Sequence, residues 1–203
     1  MATYIVAITG ASGSVYGKRL LEVLLDKKHQ VNLIITEAGL QVVRQELGWE
    51  LAGLTAEETV RQIGVYLGNT EYARLLRYYA NQDIAAVIAS GSVPCNGMVV
   101  IPCTMSTLSG IAHGTAGNLT ERAADIMLKE RRPLLLVPRE TPLNQIHLEN
   151  MLNLARMGVH IVPAMPAFYH CPESVAELVD FMVGRVLDLL GVENDLFRRW
   201  EGL

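Results

Sequence analysis

Tyr4-Ile5-Val6-Ala7-Ile8-Thr9-Gly10-Ala11-Ser12-Gly13-Ser14 is the stretch whose reading sets the fold. Residues 4–9 form a short apolar, β-branched run that stops at glycine, the mark of a buried strand. Beyond it, Gly17, Leu20, Leu21 and Leu24 recur at helical spacing and predict a helix over about 16–27. A buried strand that passes through a glycine-serine turn straight into a helix opens a βα unit.

The alternation continues along the chain. Residues 31–35 read as a second strand and 37–46 as a helix. The stretch 48–81, with Tyr66, Tyr72, Tyr78 and Tyr79, reads as helical. Residues 98–102 form a third strand that runs into Thr104-Met105-Ser106-Thr107, a helix start rich in hydroxyls. A helix over 120–130 precedes a fourth strand at 134–137. Leu148, Met151, Leu152 and Ala155 make the apolar stripe of a helix ending at Gly158, and 160–163 is a fifth strand. Ser174 and Glu177 form a capping box for a last helix. Val175, Leu178, Val179, Met182, Val186 and Leu189 line its apolar face, and Gly191 ends it. The expected class is α/β: a three-layer, doubly wound, mostly parallel sheet of Rossmann or flavodoxin type. One α/β domain is expected over 1–203, with a C-terminal helix and tail from about 174.

Half of the 203 residues are apolar and 19% are charged, enough at this length to build a core without disulfide or metal staples. The net charge of −4 argues against a dedicated nucleic-acid binder, which carries a basic excess. Cys95, Cys103 and Cys171 are odd in number and form no C-x-x-C, which suits a reducing compartment. The N-terminus has no basic leader, and no run nears the ~18 apolar residues of a membrane span. The expectation is a cytoplasmic protein. His29, His113, His147, His160 and His170 show no H-E-x-x-H and no His/Cys grouping, so no metal site is expected.

The turn 10–17 suits an anion. Glycines let the backbone close on a ligand, free N–H groups and the dipole at the helix start favour negative charge, and Ser12 adds a hydroxyl. Three sharper motifs fail on spacing. G-x-G-x-x-G would need glycine at Ser12; a P-loop would need serine or threonine at Arg19; a nucleophile elbow would need a second glycine at Ser14. A tight βα turn without ligand is the plain alternative. The Cys103-Thr104-Met105-Ser106-Thr107 turn repeats the pattern, although N-capping by Thr104 alone would explain it. Two uncharged, hydroxyl-rich ends on one sheet edge suit the phosphate, ribityl chain and ring of FMN. A dinucleotide would call for an acid at the second strand end, and Glu37 lies there, so both ligands stay open on this ground.

A set of charged and polar residues collects near the same edge. Arg122 and Lys129 share a helix face, Arg139-Glu140 follow the fourth strand, Tyr169 follows the fifth, and Arg185 lies in the last helix. Such cations can clamp a second phosphate, and Glu140 can move a proton. Each also has an ordinary reading. Lys129 ends a helix where positive charge is favourable, Arg185 borders an apolar stripe, and Tyr169 suits a half-buried position.

These residues resemble a known family. Gly10-Ala11-Ser12-Gly13, Ala89-Ser90-Gly91-Ser92, Pro102-Cys103-Thr104-Met105-Ser106-Thr107 and Leu128-Lys129-Glu130-Arg131-Arg132-Pro133-Leu134 are similar to stretches of the UbiX/Pad flavin prenyltransferases. So are Val137-Pro138-Arg139-Glu140-Thr141-Pro142, His147-Leu148-Glu149-Asn150-Met151 and Pro166-Ala167-Phe168-Tyr169-His170. The resemblance implies a metal-independent transfer of a dimethylallyl group from dimethylallyl phosphate to N5 and C6 of reduced FMN. It implies delivery of prenylated FMN to a UbiD-type decarboxylase, and a homododecamer. It places FMN on Gly10, Ala11, Ser12, Thr36, Thr104, Met105, Ser106, Thr107 and Arg139. It places the prenyl phosphate on Arg122, Lys129, Glu140, Tyr169 and Arg185. Glu140, Lys129, Tyr169 and Glu46 become the catalytic residues, and Trp200 matches a C-terminal tryptophan. Ile84 stands where some members carry an aromatic residue, and Thr36 where serine is common. Two other readings compete: a flavin-dependent decarboxylase and a non-catalytic flavin carrier.

Overall fold

The computed structural model describes residues 1–200 and Gly202. Its centre is β1 (Thr3–Ile8), whose side chains alternate between two cores. Tyr4, Val6 and Ile8 face one, and Ile5 and Ala7 face the other. A strand buried on both faces has no polar position, which is why its sequence is a continuous apolar run. β2 (Gln30–Ile35) and β4 (Gly97–Cys103) flank β1, both parallel to it. With β3 (Leu76–Ala80), β5 (Leu134–Pro138) and β6 (His160–Ile161) they form one parallel sheet in the order β3-β2-β1-β4-β5-β6.

Helices cover both faces. α1 (Ser14–Asp26), α2 (Glu37–Leu47), α3 (Ala56–Tyr66) and α7 (Val175–Leu189) contribute to the core under one face. α4 (Met105–Ala112), α5 (Leu119–Lys129) and α6 (Gln145–Arg156) contribute to the other. The chain winds outward from β1 through β2 to β3, then returns to the other side of β1 at β4. The order reverses there, so a crevice opens beyond the carboxyl ends of β1 and β4, where doubly wound folds bind ligands.

Four expectations change. The stretch 48–81 is not wholly helical: it holds α3, a 3-10 turn at Thr70–Arg74 and the edge strand β3. An edge strand is only partly covered, so β3 keeps Arg77 and exposed Ala80 and lacks the apolar run that marks the inner strands. The stripe expected on α6 does not face the core. Leu148 and Leu152 are 53% and 50% exposed, while Asn150 and Leu154 are buried. At α7, Val175 is 72% exposed and lies off the apolar face, which Val179, Met182, Val183, Val186 and Leu187 supply. Ser174 does cap this helix, accepting from the Glu177 N–H, but the Glu177 carboxylate accepts from the Glu173 N–H at 3.0 Å, one residue before the cap. The tail is described to Trp200 and at Gly202; Glu201 and Leu203 of the expected tail lie outside the described residues. No helix among the described residues is long and apolar enough to cross a membrane.

Candidate active site

The two hydroxyl-rich turns meet at the switch point through Thr9, a residue the sequence reading passed over. Thr9 is buried, and its hydroxyl donates to the Pro102 carbonyl at 2.7 Å while accepting from the Thr104 N–H at 2.8 Å. One side chain thus fixes the end of β1 against the end of β4. Its only signal was a polar residue closing an apolar strand. Thr104 caps α4, its hydroxyl accepting from the Thr107 N–H at 3.2 Å and donating to the Thr107 hydroxyl at 3.0 Å. Met105 is buried beneath the turn, and Ser106 is exposed at its rim. Burial pushes the Cys103 thiol well up, so it stays protonated and packs as a small apolar group.

On the other side, Thr36 caps α2 by accepting from the Gly39 N–H at 3.0 Å. Gly10 allows α2 to press on the first turn: a Cβ there would lie 2.5 Å from the Ala38 Cβ. Ala11 is buried and Ser12 exposed, so the turn presents Ser12 outward.

The start of α1 differs from the simple anion seat that the sequence suggested. The carboxylate of Glu46, from the last turn of α2, is already there. It accepts from the Gly13 N–H at 3.0 and 3.2 Å, from the Ser14 N–H at 2.8 Å and from the Ser14 hydroxyl at 2.7 Å. An internal carboxylate satisfies the free amides and meets the positive end of the helix dipole. Burial pushes this carboxyl up, but hydrogen bonds from the Ser12 and Ser14 hydroxyls and from the Ser14 and Gly13 N–H groups outweigh it. The net effect holds Glu46 below its ordinary value. The stability Glu46 adds is therefore complete above the ordinary carboxylate range and is lost as pH falls through its lowered folded value. The melting temperatures of wild type and Glu46→Gln should converge as pH is lowered through that window. A gap constant with pH would contradict the assignment.

Arg139 follows β5 and reaches back across the crevice, its Nε donating to the Ser12 carbonyl at 3.3 Å. Its backbone N–H bonds the Cys103 carbonyl at 3.4 Å. No carboxylate pairs with its guanidinium among the described residues. Beside it, Arg139, Glu140, Thr141, Leu143, Met151 and Met165 line a cavity of about 440 Å³. Glu140 is exposed and accepts from the Thr141 N–H at 3.0 Å. Ser12, Thr104, Thr107, Glu46 and Arg139 thus gather at one edge of the sheet. The exposed Ser106 hydroxyl, the Thr107 hydroxyl and a cation with no carboxylate partner among the described residues fit a phosphate-bearing flavin.

The remaining predicted residues do not all join them. Lys129 ends α5 beside Gly91 and pairs with Glu130 at 3.6 Å, near where β4 and β5 begin. Arg122 is exposed in the first half of α5, whose start is held by Asn81 through the Leu119 N–H and Thr120. Tyr169 is half exposed, with ring centroids 5.5 Å from Trp200 and 5.9 Å from Phe181, both edge-on. It ties the loop after β6 to α7 and the tail. Arg185 on α7 pairs with Asp188 at 3.2 Å, a carboxylate it shares with Arg199. Ile84 is half exposed in the loop after β3. Among the described residues no three His, Cys, Asp or Glu side chains group as metal ligands do.

A family model described as Flavoprotein matches residues 2–187. The flavin prenyltransferase UbiX of Halalkalibacterium halodurans is 53% identical over 197 residues, covering 97% of this chain and 92% of that one. The chain belongs to the UbiX flavin prenyltransferase family. Solved structures agree. The crystal structure of AnUbiX (PadA1) in complex with FMN and dimethylallyl pyrophosphate superposes with a TM-score of 0.87 at 36% identity, covering 100% of this chain and 98% of that one. A dodecameric FMN-dependent Ubix-like decarboxylase from Escherichia coli O157:H7 gives a TM-score of 0.84 at 42% identity, over 98% of this chain and 100% of that one. Family membership covers nearly the whole chain and includes both turns of the crevice.

Proposed function

We propose that this chain is a flavin prenyltransferase that joins a dimethylallyl group to reduced FMN. The observation that carries the reading is 53% identity to a flavin prenyltransferase over 97% of this chain, together with a crevice that joins two hydroxyl-rich turns to Arg139. Gly10, Ala11, Ser12, Thr36, Thr104, Met105, Ser106, Thr107 and Arg139 would hold the flavin and its phosphate. Reduced FMN supplies N5 and C6 as the sites of alkylation. The donor is dimethylallyl phosphate. As its C–O bond breaks, negative charge gathers on the departing phosphate, and Lys129, Arg122, Arg185 and Tyr169 stabilise it where it develops. The allyl carbon freed from oxygen bonds N5, whose proton leaves; a proton added to the remaining double bond lets its tertiary carbon bond C6, whose proton passes to Glu140 or that phosphate, and Glu46 serves at the flavin side. No step requires a metal.

The donor site needs a second copy of the chain. Lys129 lies near the start of β5 and Glu140 just past its end. Five residues of extended strand separate those ends by about 17 Å, so one chain does not offer both to one phosphate. Exposed Leu148, Leu152, Met165 and Phe168 supply apolar surface for neighbouring copies. A homododecamer is the proposed assembly, the cytoplasm the proposed location, and a UbiD-type decarboxylase the proposed recipient of prenylated FMN. The whole of 1–203 acts as one flavin-binding unit in this reading. Anaerobic incubation with reduced FMN and dimethylallyl phosphate should release inorganic phosphate. Release that does not require the flavin would count against the transfer.

A further inference from the structure

We infer that Trp49, stacked on Tyr66, is a positioning residue that holds the end of α2 so that the Glu46 carboxylate sits on the Gly13 and Ser14 amides. The inference rests on the proposed role of Glu46 at the flavin.

α2 is poorly anchored by its own packing. Of its eleven residues only Gly39 and Val43 are buried. Its first turn is fixed by the Thr36 cap and the close fit of Gly10 against Ala38. Its last turn packs on the core only through Leu47, which is partly buried. Yet that turn carries Glu46, whose carboxylate must span from α2 to the start of α1.

The anchor comes just after the helix. Gly48 takes a left-handed conformation at φ 69° and turns the chain back. Trp49 then enters the core at 3% exposure. Its ring lies parallel to that of Tyr66, the last residue of α3, with centroids 5.4 Å apart and planes 5° from parallel. The Tyr66 hydroxyl accepts from the Glu50 N–H at 3.0 Å. Glu50 in turn pairs with Arg44 at 2.8 Å, which returns to α2. Residues 44–50 are thus closed into a loop pinned to α3 by one stack and one hydrogen bond. The Arg44–Glu50 pair is exposed and adds little by itself, so the aromatic stack is the main restraint.

The test uses the full chain with reduced FMN and dimethylallyl phosphate under anaerobic conditions, in wild type, Trp49→Leu, Trp49→Phe and Tyr66→Phe, each with Glu46 or with Glu46→Gln. Trp49→Leu should lower kcat about tenfold or more, since small misplacements of a reacting group have effects of that size, with KM for flavin little changed. Trp49→Phe, which keeps an aromatic face, should recover most of the loss. In the Glu46→Gln background Trp49→Leu should cost nothing further. Equal losses in the two backgrounds, or a rise in KM with kcat unchanged, would overturn the inference. Hydrogen exchange gives a readout independent of turnover. Trp49→Leu should speed exchange of the Gly13 and Ser14 amides while β1 and β4 stay protected; unchanged exchange at those two amides overturns the inference. An inactive wild type would count against the proposed function instead, and the exchange result would still decide the role of Trp49.

Discussion

Lys129→Ala is expected to bind FMN as the wild type does and to lose turnover about a hundredfold or more, the usual scale for one group that stabilises charge developing in a transition state. The side chain lies away from the crevice of its own protomer, and its sole ionic contact among the described residues is exposed Glu130 at 3.6 Å. Removing it therefore leaves the two hydroxyl-rich turns, Thr9 and Arg139 in place. Turnover kinetics and flavin titration separate the two outcomes. A loss of FMN affinity equal to the loss of rate would place Lys129 in the flavin site instead. The shared-site reading adds a sharper consequence. Lys129→Ala and Glu140→Gln protomers, each inactive alone, should regain part of the activity when co-assembled, because some interfaces then hold both native residues. Absence of any recovery in mixed assemblies would show that both groups act from one chain.

Arg139→Ala should have the opposite signature, weakening FMN by about 30- to 100-fold, as expected for losing about 2–3 kcal/mol of charge-assisted hydrogen bonding. Its Nε is held by the Ser12 carbonyl, which leaves its other N–H groups directed by that contact and unpaired with any carboxylate among the described residues. A guanidinium fixed by one bond loses less freedom when it meets a phosphate. Arg139→Lys should restore little, because an ammonium cannot bridge Ser12 and a phosphate in the same plane. Equilibrium binding of FMN to the three proteins checks this. Unchanged affinity in Arg139→Ala would remove Arg139 from the flavin site.

Much of this was legible in the sequence because it rests on local rules. β1, β2, β4 and β5 are buried on both faces and so write themselves as apolar runs. Thr104 caps a helix where strand meets helix, which residue type and position alone announce. What failed depended on distant partners. β3 is an edge strand recognisable only through its pairing with β2. The apolar residues of α6 have the spacing of a core stripe, yet Leu148 and Leu152 point away from this protomer's core. Glu46 matched a family position, but nothing local to α2 shows that its carboxylate fills the start of α1, 32 residues away. Thr9 was hidden for the same reason: its importance lies in a contact 93 residues distant. The proposed gathering of Arg122, Lys129, Glu140, Tyr169 and Arg185 around one phosphate would be a matter of assembly, which no single chain displays.

The most direct measurement is the mass of the flavin. The protein is incubated without oxygen with reduced FMN and dimethylallyl phosphate, and the flavin is then released and weighed by mass spectrometry. The released flavin should be heavier by one five-carbon prenyl unit, formed only when protein, reduced flavin and donor are all present. A flavin of unchanged mass, from protein shown to bind both ligands, would contradict the proposed transfer.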